Sequence, residues 1–323
     1  MTTPTAPHHA EPGLLLGSYA LPGHDSQEWY EQLEALGVTG LEFPTDGGPD
    51  LLTDARTIAT HLDRVTPASW VFALTMIPVT MPALKRDDRY GLASPLESSR
   101  ERAIADVGLA LQVARELADI SGKPRVVAVE VPSAPGQGEA AALTASLATL
   151  AADTPEGTMI LLEHCDAAVP HQRAAKGFLD LPTEIAAIAA VDAAPGTLGL
   201  CLNWGRSAIE GRSVCTPLEH ARLATASGLP VGAVLSGATD TQSEWGAPWS
   251  DTHIPPRGDD PALPRESLLD LGSATAFLAA ARPDLLAAKV ATRGARDEAH
   301  LLAVARATVE FTRAALAGSR EVG

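Results

Sequence analysis

The segment Leu198-Gly199-Leu200-Cys201-Leu202-Asn203 is a short apolar run that ends in an amide side chain. A helix pattern over residues 216–227 follows it, and then a second apolar run, Val231-Gly232-Ala233-Val234-Leu235-Ser236. Both runs are continuously apolar rather than alternating, which is typical of parallel strands whose outer face is covered by helices. Because a helix that joins two neighbouring strands places them parallel through a right-handed crossover, this segment predicts a β-α-β unit.

The same unit recurs along the chain on both sides of this segment. Apolar runs predict eight strands, at residues 14–19, 40–43, 70–76, 126–130, 159–163, 198–203, 231–236 and 285–290. Helical periodicity predicts a helix around Trp29, Leu33 and Leu36 and further helices at 54–64, 95–120, 139–152, 182–191, 216–227, 265–281 and 297–316. Eight such units in 323 residues predict an α/β protein, a single (β/α)8 TIM barrel with a parallel eight-stranded barrel. A doubly wound open sheet is the alternative, but residues 14–23 lack the GxGxxG fingerprint usual in such sheets.

No linker or shift in composition divides the chain, so we expect one barrel domain over residues 13–317. Residues 1–12 predict a disordered N-terminal tail, and residues 318–323 a short C-terminal tail. Two connections are too long to be plain turns, residues 77–94 after strand three and residues 237–264 after strand seven. Both follow the carboxyl end of a strand, where barrel active sites are built.

The composition excludes several classes of protein. A hydrophobic share of 46% rules out wholesale disorder, and 24 basic against 40 acidic side chains argue against a nucleic-acid or anionic-membrane surface. No apolar run approaches the roughly 18–20 residues of a membrane span, and the N-terminus lacks the pattern of a signal peptide. The three cysteines contain no CxxC pair, so we expect a reduced, cytoplasmic protein. A homodimer is among the oligomeric states that the sequence leaves open.

Polar side chains end the predicted strands, where a barrel would bring them together at one mouth. These residues are Ser18, Glu42, Thr75, Glu130, Glu163, Asn203, Ser236 and Lys289. A single carboxylate in this position could merely cap a loop. Three glutamates on strands two, four and five are harder to explain that way, because buried acids need partners or a substrate. Converging acids also tend to have separated pKa values suited to proton transfer.

Three strand ends resemble the xylose isomerase-like TIM barrels, and the resemblance covers roughly residues 14–316. They are Gly40-Leu41-Glu42-Phe43-Pro44, Leu162-Glu163-His164-Cys165-Asp166 and Gly199-Leu200-Cys201-Leu202-Asn203-Trp204. That superfamily holds sugar isomerases, ketose epimerases and abasic-site endonucleases. The segments 163–167 and 203–207 further resemble an uncharacterised bacterial branch of it, so no activity comes with the closer match.

The resemblance implies a metal site made from an acid on strand five, an Asp on strand six, a His on strand seven and a Glu on strand eight. Glu163 matches the first ligand, whereas Asn203, Ser236 and Lys289 stand at or near the other three positions. An amide, a hydroxyl and an ammonium are poor or impossible ligands of a divalent metal, so we expect no cofactor and no metal ligands. A site rebuilt from Glu163, Asp166, Asp251 and His253 is the alternative.

Without a metal, carbonyl chemistry needs another electrophile, and Lys289 is the candidate because it ends a strand made of Leu, Ala and Val. We expect Glu163 to act as the proton-shuttling base, Glu130 or Glu42 as the second acid, and Lys289 as the stabiliser of the oxyanion, as an ammonium or through a Schiff base. In the other interpretation, Lys289 points outward and extends between helices to the solvent.

Further residues are predicted to bind the substrate. Arg206, just past strand six, could clamp a carboxylate, phosphate or sulfonate, with an outer salt bridge as the alternative. Trp204, Trp245 and Trp249 would offer flat faces to a sugar ring, with core or lid packing as the alternative. The set of predicted substrate-binding residues is Glu42, His164, Asp166, Asn203, Trp204, Arg206, Trp245 and His253. His164 should face away from Glu163 in a regular strand, which leaves its role open.

These observations predict an enzyme, an isomerase or epimerase of a small sugar or sugar acid that works by metal-independent acid–base proton transfer. Its partner would be a small-molecule carbohydrate. A lyase or glycoside-cleaving hydrolase using the same carboxylates is one alternative. A non-catalytic sugar-binding protein on a decayed isomerase scaffold is another. An endonuclease is disfavoured, because it would keep its metal ligands and show a basic groove.

Overall fold

Eight parallel strands close into a barrel in the computed structural model, which describes residues 12–17, 26–45, 54–170, 172–291 and 295–322. The strands are β1 (Leu14–Gly17), β2 (Gly40–Pro44), β3 (Val71–Thr75), β4 (Val126–Val131), β5 (Met159–His164), β6 (Leu198–Asn203), β7 (Val231–Leu235) and β8 (Leu285–Ala288). The first strand pairs with both β2 and β8. This pairing closes the barrel and confirms the predicted fold class, since an open sheet would leave β1 and β8 unpaired with each other.

Ten helices surround the barrel within the described ranges. They are α1 (Gln27–Ala35), α2 (Ala55–Val65), α3 (Ile77–Arg86), α4 (Glu97–Ser121), α5 (Ala140–Asp153), α6 (Leu181–Ala189), α7 (Trp204–Gly211), α8 (Thr216–Ser227), α9 (Leu271–Ala281) and α10 (Glu298–Val322). Two of them, α3 and α7, are absent from the sequence prediction. The first contains Pro82 in its interior, and the second begins at the residue directly after β6, so neither shows a separate helical pattern.

Both faces of each strand are buried, which explains the continuous apolar runs. One face points into the barrel, where the inner core consists of small and branched side chains: Leu15, Ala73, Ala128, Leu161, Cys201, Val234, Leu285 and Ala287. The other face packs against the helices in the main core, as Leu16, Phe72 and Leu162 do. A strand covered on both faces has no polar face to expose.

Polar side chains replace this inner core at the carboxyl ends of the strands. Glu42, Thr75, Glu130, Glu163 and Asn203 are each buried at the end of a different strand. Thr75 lies opposite Glu130 in the sheet register, and Glu163 lies opposite Cys201. The predicted strand ends therefore meet at one mouth of the barrel, apart from Ser18, which lies outside the described residues.

The two long connections differ from each other. The segment predicted as a loop after strand three, residues 77–94, is helical in its first half, because α3 lies there. The connection after β7 extends to α9, which begins at Leu271 rather than at the predicted residue 265. It is ordered by a bridge between Gly237 and Ile254 and by the burial of Trp245.

The ends of the chain also differ in part from the prediction. The last helix, α10, continues to Val322, so the C-terminal tail predicted at residues 318–323 is helical except at its final residue, which is not described. The predicted N-terminal tail lies outside the described residues except for Pro12. Within the described ranges, none of the helices combines the length and the apolarity that a bilayer crossing needs.

Candidate active site

Lys289 follows β8 directly and is completely buried inside the barrel mouth. Its Nζ lies 3.0 Å from Oε1 of Glu163 and forms a second ion pair with Glu42. The neighbouring strand makes room for it, because a Cβ on Gly17 would come within 2.9 Å of the Cγ of Lys289. The side chain therefore crosses the barrel instead of extending outward between helices.

Glu163 is held between two cations. Besides Lys289, the guanidinium of Arg206 forms an ion pair with Oε1 of Glu163, and all three side chains are fully buried. Burial alone would raise the pKa of Glu163, but Arg206 and Lys289 together outweigh it and lower the pKa to about 2. Glu163 is therefore ionised at any physiological pH.

The ion pairs continue outward from Glu163. Nε of Arg206 donates to Oδ2 of Asp251 over 3.1 Å, and the ammonium of Lys176 contacts the same carboxylate. We call this row of alternating charges the charge chain, defined as Glu42, Lys289, Glu163, Arg206, Asp251 and Lys176. Arg206, predicted to clamp an anionic group of the substrate, here holds two carboxylates of its own chain.

Glu130 differs from Glu163 in its electrostatic surroundings. Burial, followed by the negative charge of Glu42, raises the pKa of Glu130 well above its usual range. The thiol of Cys201 lies 3.6 Å from Oε1 of Glu130. Oxygens of Glu130 and Glu163 come within 4.8 Å of each other. Two neighbouring carboxyls with pKa values pushed apart are suited to separate acid and base roles.

Asn203 links β6 to the start of α7. Its Oδ1 accepts hydrogen bonds from the backbone N–H groups of Gly205 and Arg206 and from Oγ of Ser236, the last over 2.7 Å. The amide cap fixes the first turn of α7 and with it the backbone of Arg206. Nδ1 of His253 lies 3.3 Å from the same Ser236 hydroxyl.

His253 stands beside the charge chain as a neutral ring. Burial lowers the pKa of His253 to about 3, and Arg206 and Lys289 reinforce that shift although Asp251 opposes it. Its backbone has a φ of 51°, in the left-handed region that non-glycine residues rarely adopt. The long connection after β7 thus delivers His253 to the barrel mouth in a specific backbone conformation.

Some buried polar atoms at the mouth have no hydrogen-bond partner among the described residues. They include Oε2 of Glu163, Nδ2 of Asn203 and Oγ1 of Thr75. Most buried polar side-chain atoms in proteins are hydrogen-bonded, so each unsatisfied atom needs an explanation. Here two acceptors and one amide donor lie at the ends of nearby strands, an arrangement that fits a polyhydroxylated ligand.

Three residues predicted to bind substrate have other surroundings. Trp204 is completely buried in the main core, and Trp245, within the β7–α9 connection, packs with Ile254 and Val290. Oδ2 of Asp166 accepts two backbone hydrogen bonds, from Ala175 at 2.6 Å and from Lys176 at 3.0 Å, and so ties the loop after β5 together.

His164 points away from the barrel interior, as the alternation of a regular strand predicts. Nδ1 lies 2.7 Å from Oε2 of Glu184, and Nε2 lies 3.0 Å from Oε2 of Glu210. Burial would lower the pKa of His164, but Glu184 and Glu210 outweigh it and raise the pKa to about 10. This outer group also contains His220. The sequence prediction missed Glu184 and His220 because they lie within ordinary helical patterns, and it missed Glu210 because α7 itself was not predicted.

The side chains at the positions where the resemblance implies metal ligands do not fit a divalent metal. A carboxylate, an amide and a hydroxyl stand there, with an ammonium nearby: Glu163, Asn203, Ser236 and Lys289. The ammonium sits against the one good ligand, Glu163, and Arg206 contacts the same oxygen. A divalent cation beside Glu163 would be repelled by both.

The alternative ligand set is brought together only in part, with Nδ1 of His253 lying 3.4 Å from Oδ1 of Asp251. In the described part of the chain, ligand atoms of three residues lie within 4.8 Å of one another in two groups, Glu130–Glu163–Cys201 and His164–Glu210–His220. The set Glu163, Asp166, Asp251 and His253 is not one of these groups. Its Asp251 is instead occupied by Lys176 and Arg206, which lower the pKa of Asp251 well below its usual range although burial opposes them.

Sequence comparison identifies a family for most of the chain. The family described as "Domain of unknown function (DUF4862)" matches residues 15–301. A protein of Salmonella typhimurium, "Uncharacterized protein STM3670", is 31% identical over 290 residues, which cover 85% of this chain and 87% of that protein.

Solved structures with the same fold include sugar epimerases. The 3-keto-D-glucoside 4-epimerase YcjR of E. coli superposes with a TM-score of 0.59 at 12% identity, over 93% of this chain and 99% of that one. A D-psicose 3-epimerase from Clostridium cellulolyticum H10 gives 0.61 at 15% identity, over 94% and 99%. A D-tagatose 3-epimerase-like protein gives 0.62 at 13% identity, over 96% and 99%. At such identities the likeness establishes the fold, a xylose isomerase-like TIM barrel.

Proposed function

The chain belongs to the DUF4862 family, and from that premise we propose that it is an isomerase or epimerase of a small sugar or sugar acid that needs no metal at its barrel mouth. The observation that carries the proposal is the pair of unsatisfied polar atoms beside the charge chain, Oε2 of Glu163 and Nδ2 of Asn203. A sugar hydroxyl would accept a hydrogen bond from Nδ2 of Asn203, and a C–H group next to a carbonyl would lie against Oε2 of Glu163.

The proposed reaction is a proton transfer at a carbon next to a carbonyl. Glu163 removes the proton from that carbon through its free oxygen, and the C–H electron pair moves to make an enediolate. The carboxyl of Glu130, whose oxygen is within 4.8 Å of Glu163, supplies a proton to the intermediate. Protonation of the same carbon from the opposite face gives an epimer. Protonation of the former carbonyl carbon, with the hydroxyl proton of the deprotonated carbon passing to the former carbonyl oxygen, gives an isomer. Glu163 then loses its proton to the solvent and Glu130 regains one from it. Each acid or base group of this kind contributes about 100- to 10,000-fold to the rate.

Lys289 is the proposed stabiliser of the oxyanion. Its ammonium is completely buried at the mouth, where a charge acts more strongly than it would in water. The carboxylates of Glu42 and Glu163 beside Nζ stabilise the charged amine, which favours electrostatic stabilisation over a Schiff base. Arg206 is a positioning residue here, because it holds the ionised carboxylate of Glu163 in place.

A carbohydrate substrate is supported by the chemistry of the mouth and by the proteins that share the fold. One atom each of a carboxylate, an amide and a hydroxyl lacks a hydrogen-bond partner among the described residues, and these atoms match the hydroxyl groups of a sugar. Proteins with this fold include a 3-keto-D-glucoside 4-epimerase and a D-psicose 3-epimerase. We extend their class of reaction, the epimerisation of a carbohydrate, to this chain as part of the proposal.

Deuterium exchange tests the proposal without knowledge of the product. The chain, treated with a chelator, is incubated in D₂O with aldoses, ketoses, aldonic acids and uronic acids, and the recovered sugars are analysed by NMR and mass spectrometry. We expect one sugar class to gain deuterium at a carbon next to the carbonyl and to yield a product of the same composition. The Glu163→Gln variant should lose about 100- to 10,000-fold of that exchange.

Other outcomes assign other functions. Two fragments in place of an isomer would identify the lyase or hydrolase. Saturable binding of a sugar without exchange would identify a sugar-binding protein on the scaffold. This outcome is worth testing because the carboxylates and cations of the charge chain already pair with one another. Exchange that is lost with chelator from a chain that circular dichroism shows to be folded, and regained with a divalent metal that binds the parent but not Glu163→Gln, would contradict metal independence at the barrel mouth.

A further inference from the structure

A second group of ionisable side chains lies behind β5, on the face opposite to Glu163. His164 of β5, Glu210 of α7 and His220 of α8 place their ligand atoms within 4.8 Å of one another. Nε2 of His164 is 3.0 Å from Oε2 of Glu210, and Nε2 of His220 is 3.5 Å from Oε1. The two imidazoles thus turn the same ring nitrogen toward one carboxylate.

The opposite nitrogen of each ring is held by another side chain. Nδ1 of His164 lies 2.7 Å from Oε2 of Glu184, and Nδ1 of His220 lies 3.0 Å from Oγ of Ser207. Metal-binding histidines are commonly oriented in this way, by a carboxylate or another polar group on the nitrogen that faces away from the metal. Both rings show the arrangement, and both leave Nε2 for a shared ligand.

We propose that His164, Glu210 and His220 form a binding site for a zinc-type divalent cation, separate from the barrel mouth. Two imidazoles and one glutamate are a known donor set for zinc with water as the fourth ligand. Zinc bonds of about 2.0–2.1 Å in a tetrahedron place neighbouring ligand atoms roughly 3.3 Å apart. Each imidazole nitrogen already lies near that distance from one oxygen of Glu210, at 3.0 Å from Oε2 and 3.5 Å from Oε1, and the three ligand atoms lie within 4.8 Å of one another.

Burial and charge also fit a cation at this place. His164 is fully buried, whereas the side chains of Glu210 and His220 remain 13% and 10% exposed, which leaves an open side for the ion and its water. Glu184 and Glu210 bring two negative charges into the interior, and one divalent cation neutralises both. Binding displaces the Nε2 proton of His164 into the solvent.

The site would connect elements that also shape the barrel mouth. β5 carries Glu163 as well as His164, and α7 carries Arg206 as well as Glu210. A cation bound to both elements would fix α7 against β5 and thereby hold Arg206 against Glu163. Its role in this arrangement is positional, since none of its ligands faces the barrel interior.

Metal titration of the full chain tests the site without any substrate. The adjacent histidines His8 and His9 are first replaced by alanine in every protein used, because such a pair can bind metal by itself. The chain is stripped with chelator and titrated with Zn²⁺ in competition with a chromophoric chelator. We expect one equivalent bound and a higher thermal midpoint, and with Co²⁺ we expect the intense visible bands of a four-coordinate site.

Variants locate the bound metal. Glu210→Gln and His220→Gln should abolish the tight equivalent, and Glu184→Gln should weaken it by about 10- to 100-fold through the orientation of His164. Glu130→Gln is the matched control in the other group of metal-compatible side chains and should leave it unchanged. Failure of the folded, stripped parent to bind Zn²⁺ would overturn the proposal, as would loss of binding in Glu130→Gln with retention in Glu210→Gln. Circular dichroism confirms that each compared variant is folded.

Discussion

Nζ of Lys289 lies 3.0 Å from Oε1 of Glu163, a contact that joins the end of the last strand to the end of the fifth across the interior of the barrel. The resemblance noted from the sequence implies a metal ligand on each of these two strands. Here one of the two positions bears a cation of its own, so the positive charge beside Glu163 is part of the polypeptide. Arg206 adds a second positive charge at the same carboxylate oxygen.

Loss of the negative charge at Glu163 should therefore affect stability as well as turnover. Glu163→Gln leaves the buried cations Lys289 and Arg206 without one of their carboxylates. Removing one partner of a buried ion pair destabilises proteins by about 3–5 kcal/mol. We expect a loss in the free energy of unfolding of this size, measured by urea denaturation at neutral pH.

A double substitution measures the energetic coupling between Glu163 and Lys289 apart from their interactions with other groups. In Glu163→Gln/Lys289→Met both charges are removed, so the loss should be smaller than the sum of the two single losses by about 0.5–3 kcal/mol. Strictly additive losses would show that the two side chains are not energetically coupled. Lys123→Met, at an exposed site outside the barrel, serves as the control for loss of a lysine.

Glu130→Gln should affect the free energy of unfolding differently from Glu163→Gln. Burial, with Glu42 reinforcing it, raises the pKa of Glu130 well above its usual range, so the folded chain binds a proton there that the unfolded chain releases at lower pH. The stability from this proton is complete below the ordinary pKa of a glutamate and declines as the pH rises toward the pKa of the folded state.

Glu130→Gln mimics the protonated carboxyl and removes this decline. We expect the variant to be at least as stable as the parent at neutral pH, and its free energy of unfolding to fall less between pH 5 and 8. Denaturation at several pH values measures the slope. A slope as steep as that of the parent would assign the pH dependence to other groups.

The strands could be predicted from the sequence because a barrel strand is covered on both faces. Runs such as Leu198–Asn203 are therefore apolar throughout and end where polar side chains begin. The helices α3 and α7 escaped prediction for physical reasons that the pattern does not reveal. Proline inside α3 argues against a helix, and α7 follows β6 without a turn to separate them.

Most residues of the candidate site that could be predicted lie at the end of a strand. Glu42, Glu130, Glu163 and Lys289 follow from strand parity, because every second residue of a barrel strand faces the interior. The surroundings of Trp204 and the partners of Arg206 depend instead on how α7 packs. Lys176 lies in a loop, and nothing in its neighbourhood along the chain predicts its contact with Asp251.

Gly17 should control the position of Lys289. A Cβ at this position would lie 2.9 Å from Cγ of Lys289 and 3.5 Å from its Cα. Gly17→Ala therefore has to displace the lysine stem, and overpacking of a core typically destabilises by about 1–3 kcal/mol. We expect that loss in thermal or urea denaturation, together with weaker substrate exchange.

Gly108 provides the matched control. It lies inside α4, and a Cβ there would meet nothing within 4 Å. Gly108→Ala should stabilise the chain by about 0.5–1 kcal/mol, because alanine has the higher helix propensity. If Gly17→Ala and Gly108→Ala change the free energy of unfolding by the same amount and in the same direction, the close contact at Gly17 does not restrict the side chain at that position.

Arg125 tests whether stability and function can be separated in this barrel. It is fully buried just before β4, at the end of the barrel opposite to the candidate site. Its Nη1 lies 3.0 Å from Oδ1 of Asp63, while Nε and Nη2 donate to the backbone oxygens of Trp70 and Pro67 and to Oγ1 of Thr66. Several donors thus act from one planar group, which a lysine cannot reproduce.

Arg125→Lys should therefore leave buried carbonyl oxygens without donors although the charge is retained. Each unsatisfied buried group costs about 1–3 kcal/mol, so we expect a loss of several kcal/mol in the free energy of unfolding. At a temperature where the variant is still folded, substrate exchange should match the parent, because no contact of Arg125 reaches the mouth. A lysine variant as stable as the parent would show that the charge alone satisfies the site, and that the several hydrogen bonds of the guanidinium have no separate part in holding the α2–β3 connection against the start of β4.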